Sequence, residues 1–312
     1  MSQNVKFIGE WVETRRATSR KSGSVLISFF SDFVVAHGGA ITLGSLVEAG
    51  ALVGISEQAM RSSVNRHVAD GWLCTVAQGR RSICRFSEKG QKRHDVFSRR
   101  IFLNDHRDWS GEWDMIATNI VANDPLRHAD LVRDIQWAGF GKLSENVFLR
   151  PKLDGRKPCC SVELKDMLDA SMVCFTGVNK KCTPDSALRL MLTTVWDLEL
   201  VQARYERFIN LYQPLLKWIL KARELTEETS FSIRSMLIHD YRRVRLLDPL
   251  LPKELAPSNW NGEKAFSIAR EIYERLASAS ERYITENLRG VDGPLPKVET
   301  WFYDRFGGIK LA

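Results

Sequence analysis

The stretch LIHDYRRVRLLDPLLP places several side chains capable of chemistry in consecutive positions: His239, Asp240, Tyr241, Arg242 and Arg243. A histidine with an orienting carboxylate can act as a general base, and paired guanidiniums bind phosphate or carboxylate groups. Successive residues of a helix point about 100° apart, so His239 and Asp240 diverge and cannot form a catalytic pair with each other. His239 instead shares a side with Arg242 and Arg243, three and four positions further on.

Two interpretations of this segment follow. Two guanidiniums beside an imidazole and the Tyr241 ring suit an anionic ligand that carries phosphate or carboxylate groups near apolar walls. Alternatively, the arginines make structural ion pairs with acidic helices or with another domain. The sequence leaves both open. We predict no catalytic residues in the chain and expect that it is not an enzyme.

The charge distribution points to a polyanionic partner. Of the 312 residues, the first hundred hold 15 Lys and Arg against 8 Asp and Glu, whereas the remainder holds 30 of each kind. A net charge of +7 concentrated at one end is typical of proteins that bind nucleic acid or an anionic membrane. No window approaches 18 uninterrupted apolar residues and the N-terminus lacks an apolar signal region, so we expect a soluble, cytoplasmic protein without a membrane partner.

Cysteine and histidine spacing gives no metal site. The six cysteines form no CxxC pair, and we interpret them as reduced thiols. The histidines His37, His67 and His94 pair with no cysteine or carboxylate at ligand spacing. We therefore predict neither a metal nor a cofactor.

The first hundred residues predict three helices followed by a hairpin. An apolar run from Val25 to Ala36 ends at two glycines, and Thr42 is suited to cap a second helix. A third helix starts after Ser56, with Met60 and Val64 facing the core.

The outward face of this third helix carries donors suited to DNA. We predict that four of its residues read bases, namely Gln58, Ser62, Asn65 and Arg66. Arg61 lies at the edge of this face and is expected to grip phosphate. Exposed polar residues are ordinary on any helix, so this face alone is weak evidence.

The following segment strengthens the DNA interpretation. GWLCTVAQGRRSICRF predicts a strand, a turn at Gly79 with Arg80 and Arg81 at its tip, and a return strand. Three helices and a basic hairpin predict a winged helix-turn-helix, in which the third helix enters the major groove and the wing reaches the flanking backbone or minor groove.

The rest of the chain predicts two further domains, which gives a multidomain α+β protein. Strand, helix, strand (NVFLRP), helix (SVELKDMLDA) and strand (SMVCFTGV) predict a small ferredoxin-like α+β domain. Helices are expected over Leu188–Tyr212, Leu215–Ala222 after a break at Pro214, Phe231–Leu247 and Glu263–Asn287. The predicted boundaries are a polar N-terminal tail over 1–20, the winged helix-turn-helix over 21–100, the ferredoxin-like domain over 105–182, and a helical effector and dimerisation domain over 185–312.

Motifs along the chain carry a family resemblance. They are GGAITLGSL, EQAMRSSVNRHVADGWL, GRRSICRFSEKG, WSGEW, QWAGFGKL, MLIHDYRR, LLDPLLPKELAPSNWNG and YDRFGG. With these stretches the chain, from about Ser24 to Gly308, resembles the PaaX family of bacterial repressors of phenylacetate catabolism. The resemblance implies a homodimer that binds a palindromic operator and is released by an aromatic acyl-CoA such as phenylacetyl-CoA. Arg61, Arg66, Arg80 and Arg81 match basic positions of the family. The run RSSVNRH on the groove-facing helix departs from the usual pattern of the family, so the resemblance does not predict the operator sequence.

The resulting hypothesis is a DNA-binding repressor of an aromatic-compound catabolic operon. It has an effector site at His239, Tyr241, Arg242 and Arg243. A regulator of the same family with a different aromatic effector is the first alternative. A metal-dependent nucleic-acid-processing enzyme would need the local carboxylates Asp105, Asp108, Glu112 and Asp114. A winged helix that binds protein is the third alternative.

Overall fold

A computed structural model describes residues 3–102, 108–118, 125–153, 172–178 and 184–309. Its helices are α1 (Gln3–Ala17), α2 (Ser22–Phe29), α3 (Leu43–Ala51), α4 (Glu57–Ala69), α5 (Glu88–Phe102), α6 (Pro125–Trp137), α7 (Asp185–Val195), α8 (Leu198–Lys221), α9 (Glu227–Arg245) and α10 (Gly262–Asn287). Its strands are β1 (Ala40–Thr42), β2 (Leu73–Gln78), β3 (Arg81–Phe86), β4 (Trp109–Thr118), β5 (Gly141–Ser144), β6 (Val147–Leu153) and β7 (Met172–Val178). The mixture of helices with two antiparallel sheets confirms the α+β class.

The chain divides into two compact units. The first comprises Met1–Gln91, Arg207–Arg242 and Lys264–Ala312, and the second comprises Lys92–Glu206 and Arg243–Glu263. In the first unit, α2, α3 and α4 pack together beside a three-stranded sheet of order β1-β3-β2.

Local chemistry fixes these early elements. The Thr42 and Ser56 hydroxyls accept hydrogen bonds from the backbone N–H groups of Ser45 and Ala59, so each caps its helix as the sequence predicts. Gly79 adopts φ 58°, a left-handed conformation that turns β2 into β3 and that glycine adopts without steric cost.

The helical conformation continues beyond the last α-helical residue of α2. It continues as a π-helical turn over Phe30–Val34 and a short 3₁₀ turn over Val35–His37, and stops at Gly38 with φ 86°. The predicted apolar helix with a glycine stop is therefore confirmed, whereas its π turn was not foreseen. The turn contains Asp32, a charged residue that is only 2% exposed.

Residues 3–17, which the sequence suggests are part of a polar tail, form α1. Its Ile8 and Val12 are buried, Phe7 stacks on Trp218 at a centroid distance of 4.7 Å, and Trp11 packs at 5.6 Å from Tyr212.

The predicted helix break at Pro214 is wrong. Helix α8 runs through Pro214 to Lys221. Pro214 and Asn210, the residue whose carbonyl loses its helical partner, both lie on the exposed side, where water can bond the carbonyl. The helix predicted over Leu188–Tyr212 is instead interrupted at Trp196, which is extended, and Asp197 caps α8 by accepting the Leu200 N–H.

The second unit contains a four-stranded antiparallel sheet of order β5-β6-β4-β7. On one face Ile116 and Phe148 pack against Ile135 of α6. On the other face Trp113 and Leu149 form a second core with side chains of α7 and with Trp196. The predicted helix SVELKDMLDA, residues 161–170, lies outside the described residues.

Candidate functional site

Helix α4 has one buried and one exposed side. Met60, Ser63 and Val64 are buried, and the Ser63 hydroxyl lies 2.7 Å from that of Ser22 at the start of α2. The predicted DNA-contacting residues of this helix are all exposed, namely Gln58, Arg61, Ser62, Asn65 and Arg66. We call these five residues the reading face. The structure thus brings the predicted set together on one surface of the first unit.

Two arginines of the reading face have different surroundings. Arg61 donates to Glu57 at 2.8 Å in an exposed ion pair one helical turn apart, so its guanidinium can exchange this partner for a phosphate. The Arg66 guanidinium lies against α2, where a Cβ added at Gly23 would be 2.9 Å from its Nη2 atom. Burial lowers the pKa of the neighbouring His67, a shift that the charge of Arg66 reinforces, so this histidine is neutral at pH 7.

The hairpin tip carries the other predicted DNA contacts. Gln78 pairs with Arg81 in the β2–β3 register, which leaves Gly79 and Arg80 as a two-residue loop. Both arginines are exposed. The tip therefore carries two exposed positive charges, at the turn that the sequence predicts.

The predicted effector residues are placed differently from one another. His239 and Arg242 are buried and converge on α2: the Arg242 Nε donates to the Ser28 hydroxyl at 3.2 Å, and His239 Nδ1 lies 3.2 Å from the same oxygen. The Arg242 Nη2 also donates to the Ser24 carbonyl and hydroxyl oxygens, both at 3.1 Å. Helical spacing correctly grouped these two side chains, but the predicted grouping with Arg243 is wrong, because Arg243 is exposed.

The remaining members of the segment point elsewhere. Tyr241 is buried against the rings of Phe208 and Phe306, whereas Arg243 is exposed. Asp240 accepts hydrogen bonds from Arg15 at 2.6 Å and from the Tyr212 hydroxyl at 2.9 Å. His239 and Asp240 therefore have separate partners, in agreement with the sequence argument against a catalytic pair.

A buried ionic cluster escaped the sequence analysis. Arg234, fully buried on α9, donates to both carboxylate oxygens of Asp32 at 3.1 Å and to Glu281. Arg305 and the Tyr273 hydroxyl also donate to Asp32, at 3.1 and 2.8 Å. The only signal in the sequence was an aspartate inside an otherwise apolar helix, because buried charges need partners.

The cluster perturbs the carboxyl group of Glu281. Burial acts to raise its pKa, but the charge of Arg234 and the hydrogen bond and charge of His37 outweigh burial and lower the pKa to about 2. His37 contacts Glu281 at 2.9 Å through Nε2. This histidine therefore contacts the buried ionic cluster.

Two of the four carboxylates proposed for metal-dependent chemistry, Glu112 and Asp114, are engaged in ion pairs, and Asp108 is exposed. Asp114 is fully buried and accepts two hydrogen bonds from Arg150, at 3.1 and 3.2 Å, and Glu112 pairs with Lys152 at 2.6 Å. Asp105 lies outside the described residues. Within the described ranges, no cluster of His, Cys, Asp and Glu has the arrangement of a metal site.

Two further observations concern the described residues. None of their helices combines the length and the apolar character needed to cross a membrane. Cys74, Cys84 and Cys174 are free thiols, and burial raises the pKa of Cys84 to about 11.

Comparison with known proteins defines the class of this chain. Residues 21–90 match the family described as PaaX-like protein, and residues 196–286 match the PaaX-like protein C-terminal domain. The transcriptional repressor PaaX of Escherichia coli (strain K12) is 32% identical over 292 residues, which cover 93% of this chain and 92% of that protein. These matches are to a family of transcriptional repressors and not of enzymes, in agreement with the prediction from the sequence. The chain belongs to the PaaX family.

A solved structure also aligns with the chain. An uncharacterized protein from Mycobacterium tuberculosis is 23% identical and has a TM-score of 0.45, covering 84% of this chain and 99% of that one.

Proposed function

We propose that the chain is a winged helix-turn-helix repressor that binds operator DNA through the reading face of α4 and the β2–β3 hairpin. In this arrangement α4 enters the major groove, where Gln58, Ser62, Asn65 and Arg66 contact base edges. Arg61, Arg80 and Arg81 hold the phosphate backbone. The observation that carries the proposal is that all seven side chains are exposed in one unit while the opposite side of α4 is buried.

Electrostatics supports the same surface. The whole net charge of +7 resides in the first hundred residues. Lysine and arginine contacts to phosphate release counterions, so affinity for DNA falls as salt rises.

Substitution of Arg66 tests base recognition. Arg66→Ala should weaken specific operator binding by about 1–3 kcal/mol and relax the base preference at one position. Arg207→Ala is a matched control, because Arg207 is an exposed arginine of the same unit outside the predicted interface. Gel-shift titrations with the protein's own promoter and with scrambled DNA give both affinities. Equal losses for the two variants, or no loss for Arg66→Ala, would contradict the proposed interface.

The wing makes a separable prediction. Arg80→Ala should weaken binding to specific and scrambled DNA alike, and should reduce the slope of log K against log salt by about 1. A change in base preference with an unchanged salt slope would argue against a backbone contact.

We further propose that the regulated operon serves an aromatic, phenylacetate-type catabolic pathway and that an aromatic acyl-CoA such as phenylacetyl-CoA releases the operator. The proposal assigns the response to the α9 residues His239, Tyr241, Arg242 and Arg243. It is supported by the hydrogen bonds from Arg242 and the contact of His239 to α2, since α2 packs directly on α4. An effector that changes the position of α9 would then shift α2 and, through it, the reading face on α4.

Addition of phenylacetyl-CoA to the operator complex tests this response. We expect phenylacetyl-CoA to dissociate wild-type protein from the DNA and to have a weaker effect on Arg242→Ala. Arg243→Ala removes an exposed positive charge and none of the α2 contacts. It therefore separates the effect of charge from the effect of losing those contacts. If a panel of other aromatic acyl-CoA compounds releases the DNA and phenylacetyl-CoA does not, the family member with a different effector is the better description. An intact complex with every compound would refute effector control.

The proposed assembly is a homodimer on a palindromic site, with a ferredoxin-like middle domain. The sheet order β5-β6-β4-β7, with α6 between β4 and β5, is that expected for a ferredoxin-like arrangement. A dimer would span half-sites about one DNA turn apart. Sedimentation of the protein with and without a single operator duplex should give two chains per duplex. One chain per duplex would refute the dimer.

A further inference from the structure

The second unit contains a cavity of about 400 Å³ around the segment that follows α9. Its walls include the apolar side chains of Leu250, Leu251, Ala256, Pro257 and Trp260. Ligand cavities in proteins span roughly 300–1,000 Å³, so this one is large enough for a ring-containing group but lies at the small end of that range.

A buried ion pair forms part of the polar wall of the cavity. Asp248 is 1% exposed and Arg245 is 3% exposed, and the Arg245 Nη1 lies 3.6 Å from the Asp248 Oδ2. The Tyr205 hydroxyl donates to the same carboxylate oxygen at 2.5 Å. Arg100 donates to the Asp248 carbonyl at 2.7 Å, and its own carbonyl accepts from the Arg245 Nε at 3.0 Å. These contacts hold both charged side chains in fixed positions at the wall.

The apolar side of the cavity is also held in place. The Trp260 ring packs edge-on against Tyr205, with a centroid distance of 5.8 Å and an interplanar angle of 83°. Leu250 has φ 54°, a conformation that branched or bulky residues rarely adopt. It is stabilised by the hydrogen bond of its N–H to Asp248 at 2.8 Å. Strained backbone of this kind is concentrated at ligand sites.

We propose that this cavity binds the aromatic acyl group of the effector, with the ring against Trp260 and the Leu and Pro side chains. The inference rests on the proposed function, since it takes the effector to be an aromatic acyl-CoA. The carboxylates of Asp108, Glu254 and Glu263 also line the cavity. Together with Asp248 they outnumber the two positive charges at the wall, Arg245 and Lys253, so the net charge of the wall is negative and repels phosphate groups. The nucleotide part of the thioester therefore stays outside, and only the acyl end enters.

A substitution that fills the cavity tests the proposal. Ala256→Phe places a ring where the acyl group would lie, and Ala203→Phe is the matched control at an exposed position of α8. Calorimetric titrations of the full-length protein use phenylacetyl-CoA, phenylacetate and CoA as probes. We expect wild type and Ala203→Phe to bind phenylacetyl-CoA more tightly than CoA, and Ala256→Phe to lose at least tenfold in affinity for phenylacetyl-CoA.

A gel shift without ligand on each variant keeps this proposal separate from the proposed function. Ala256→Phe should retain operator affinity, and its complex should resist phenylacetyl-CoA. If wild-type protein does not bind the operator, the repressor function is refuted. If Ala256→Phe binds phenylacetyl-CoA as tightly as wild type does, the cavity assignment is refuted. Equal affinity of wild type for CoA and phenylacetyl-CoA would also refute it.

A second measurement covers the case in which Ala256→Phe does not fold. Wild-type protein is labelled with 5-fluorotryptophan, and its Trp260 resonance is assigned by Trp260→Phe. Phenylacetyl-CoA should shift this fluorine signal, whereas CoA should leave it unchanged. No shift of the Trp260 signal at saturating phenylacetyl-CoA would overturn the proposal.

Discussion

Removal of the Asp32 carboxylate should be among the most damaging single changes in the first unit. Asp32 receives the Arg234 guanidinium through two hydrogen bonds and Arg305 through a third, and the Tyr273 hydroxyl donates to it as well. In Asp32→Ala the named ionic groups would carry two positive charges against the single negative charge of Glu281. Breaking a buried pair by deleting one partner costs about 3–5 kcal/mol. Since whole domains are stable by about 5–15 kcal/mol, the variant would lose a large fraction of its stability.

Urea denaturation followed by circular dichroism measures this loss. In a separate thermal melt, the melting temperature should fall on the order of 10 °C for a unit of this size. Asp32→Asn keeps the side-chain volume and one acceptor but removes the charge, so most of the loss should remain. Glu274→Ala, which removes a partly exposed pair with Arg270 one helical turn apart, is the control and should cost about 0.5 kcal/mol or less. If both Asp32 variants cost less than 1 kcal/mol, the reasoning on buried charge is refuted.

Three further changes probe the same unit. Because the pKa of Glu281 is lowered to about 2, its contribution of roughly 3 kcal/mol is complete above its ordinary pKa and is lost as the pH falls from about 4.5 towards 2. The free energy of unfolding, measured as the pH is lowered, should therefore fall less steeply for Glu281→Gln than for wild type. Gly54→Ala should cost more than about 1 kcal/mol in a thermal melt, because φ is 82° and the added Cβ would lie 2.0 Å from the Arg16 carbonyl oxygen. Ser56→Ala removes the α4 cap and should cost about 0.5–2 kcal/mol in urea denaturation, with a smaller loss of operator affinity.

The elements that could be predicted are those fixed by local chemistry. Helix α4 was predicted with its cap Ser56 and its buried residues Met60 and Val64, because capping and helical period act within a few residues. Helix α1 was missed although Ile8 and Val12 lie one turn apart, because eight of its fifteen residues are polar or charged. The break at Pro214 was wrong because the cost of an interior proline depends on whether water reaches the carbonyl four residues earlier, which only the packing of α8 decides.

The site shows the same division between local and long-range information. The spacing of His239 and Arg242 correctly placed them together, but their common partner Ser28 is more than 200 residues away in the sequence. No pattern within the segment distinguishes a ligand from a serine of another helix, since both are acceptors for a guanidinium. The ion pair interpretation and the sensor interpretation therefore could not be separated from the sequence.

On the proposed function, the contacts of α9 connect an effector to the reading face without a direct contact between them. Arg234 and Arg242 lie two turns apart on α9 and bond to α2 at Asp32 and at Ser24 and Ser28 respectively. Hydrogen bonds to charged groups contribute about 1.5–3 kcal/mol each, and allosteric coupling energies are typically about 1–3 kcal/mol. The free energy of the Arg242 contacts alone is thus large enough to couple α9 to the reading face. Loss of the Arg234 contacts would instead cost a free energy that approaches that of unfolding. On the proposed function, we expect the effector to change the contacts at the Arg242 end of α9. Arg242 precedes Arg245, a residue of the cavity wall, by three positions. The hydrogen bonds of the Asp32 cluster should stay intact.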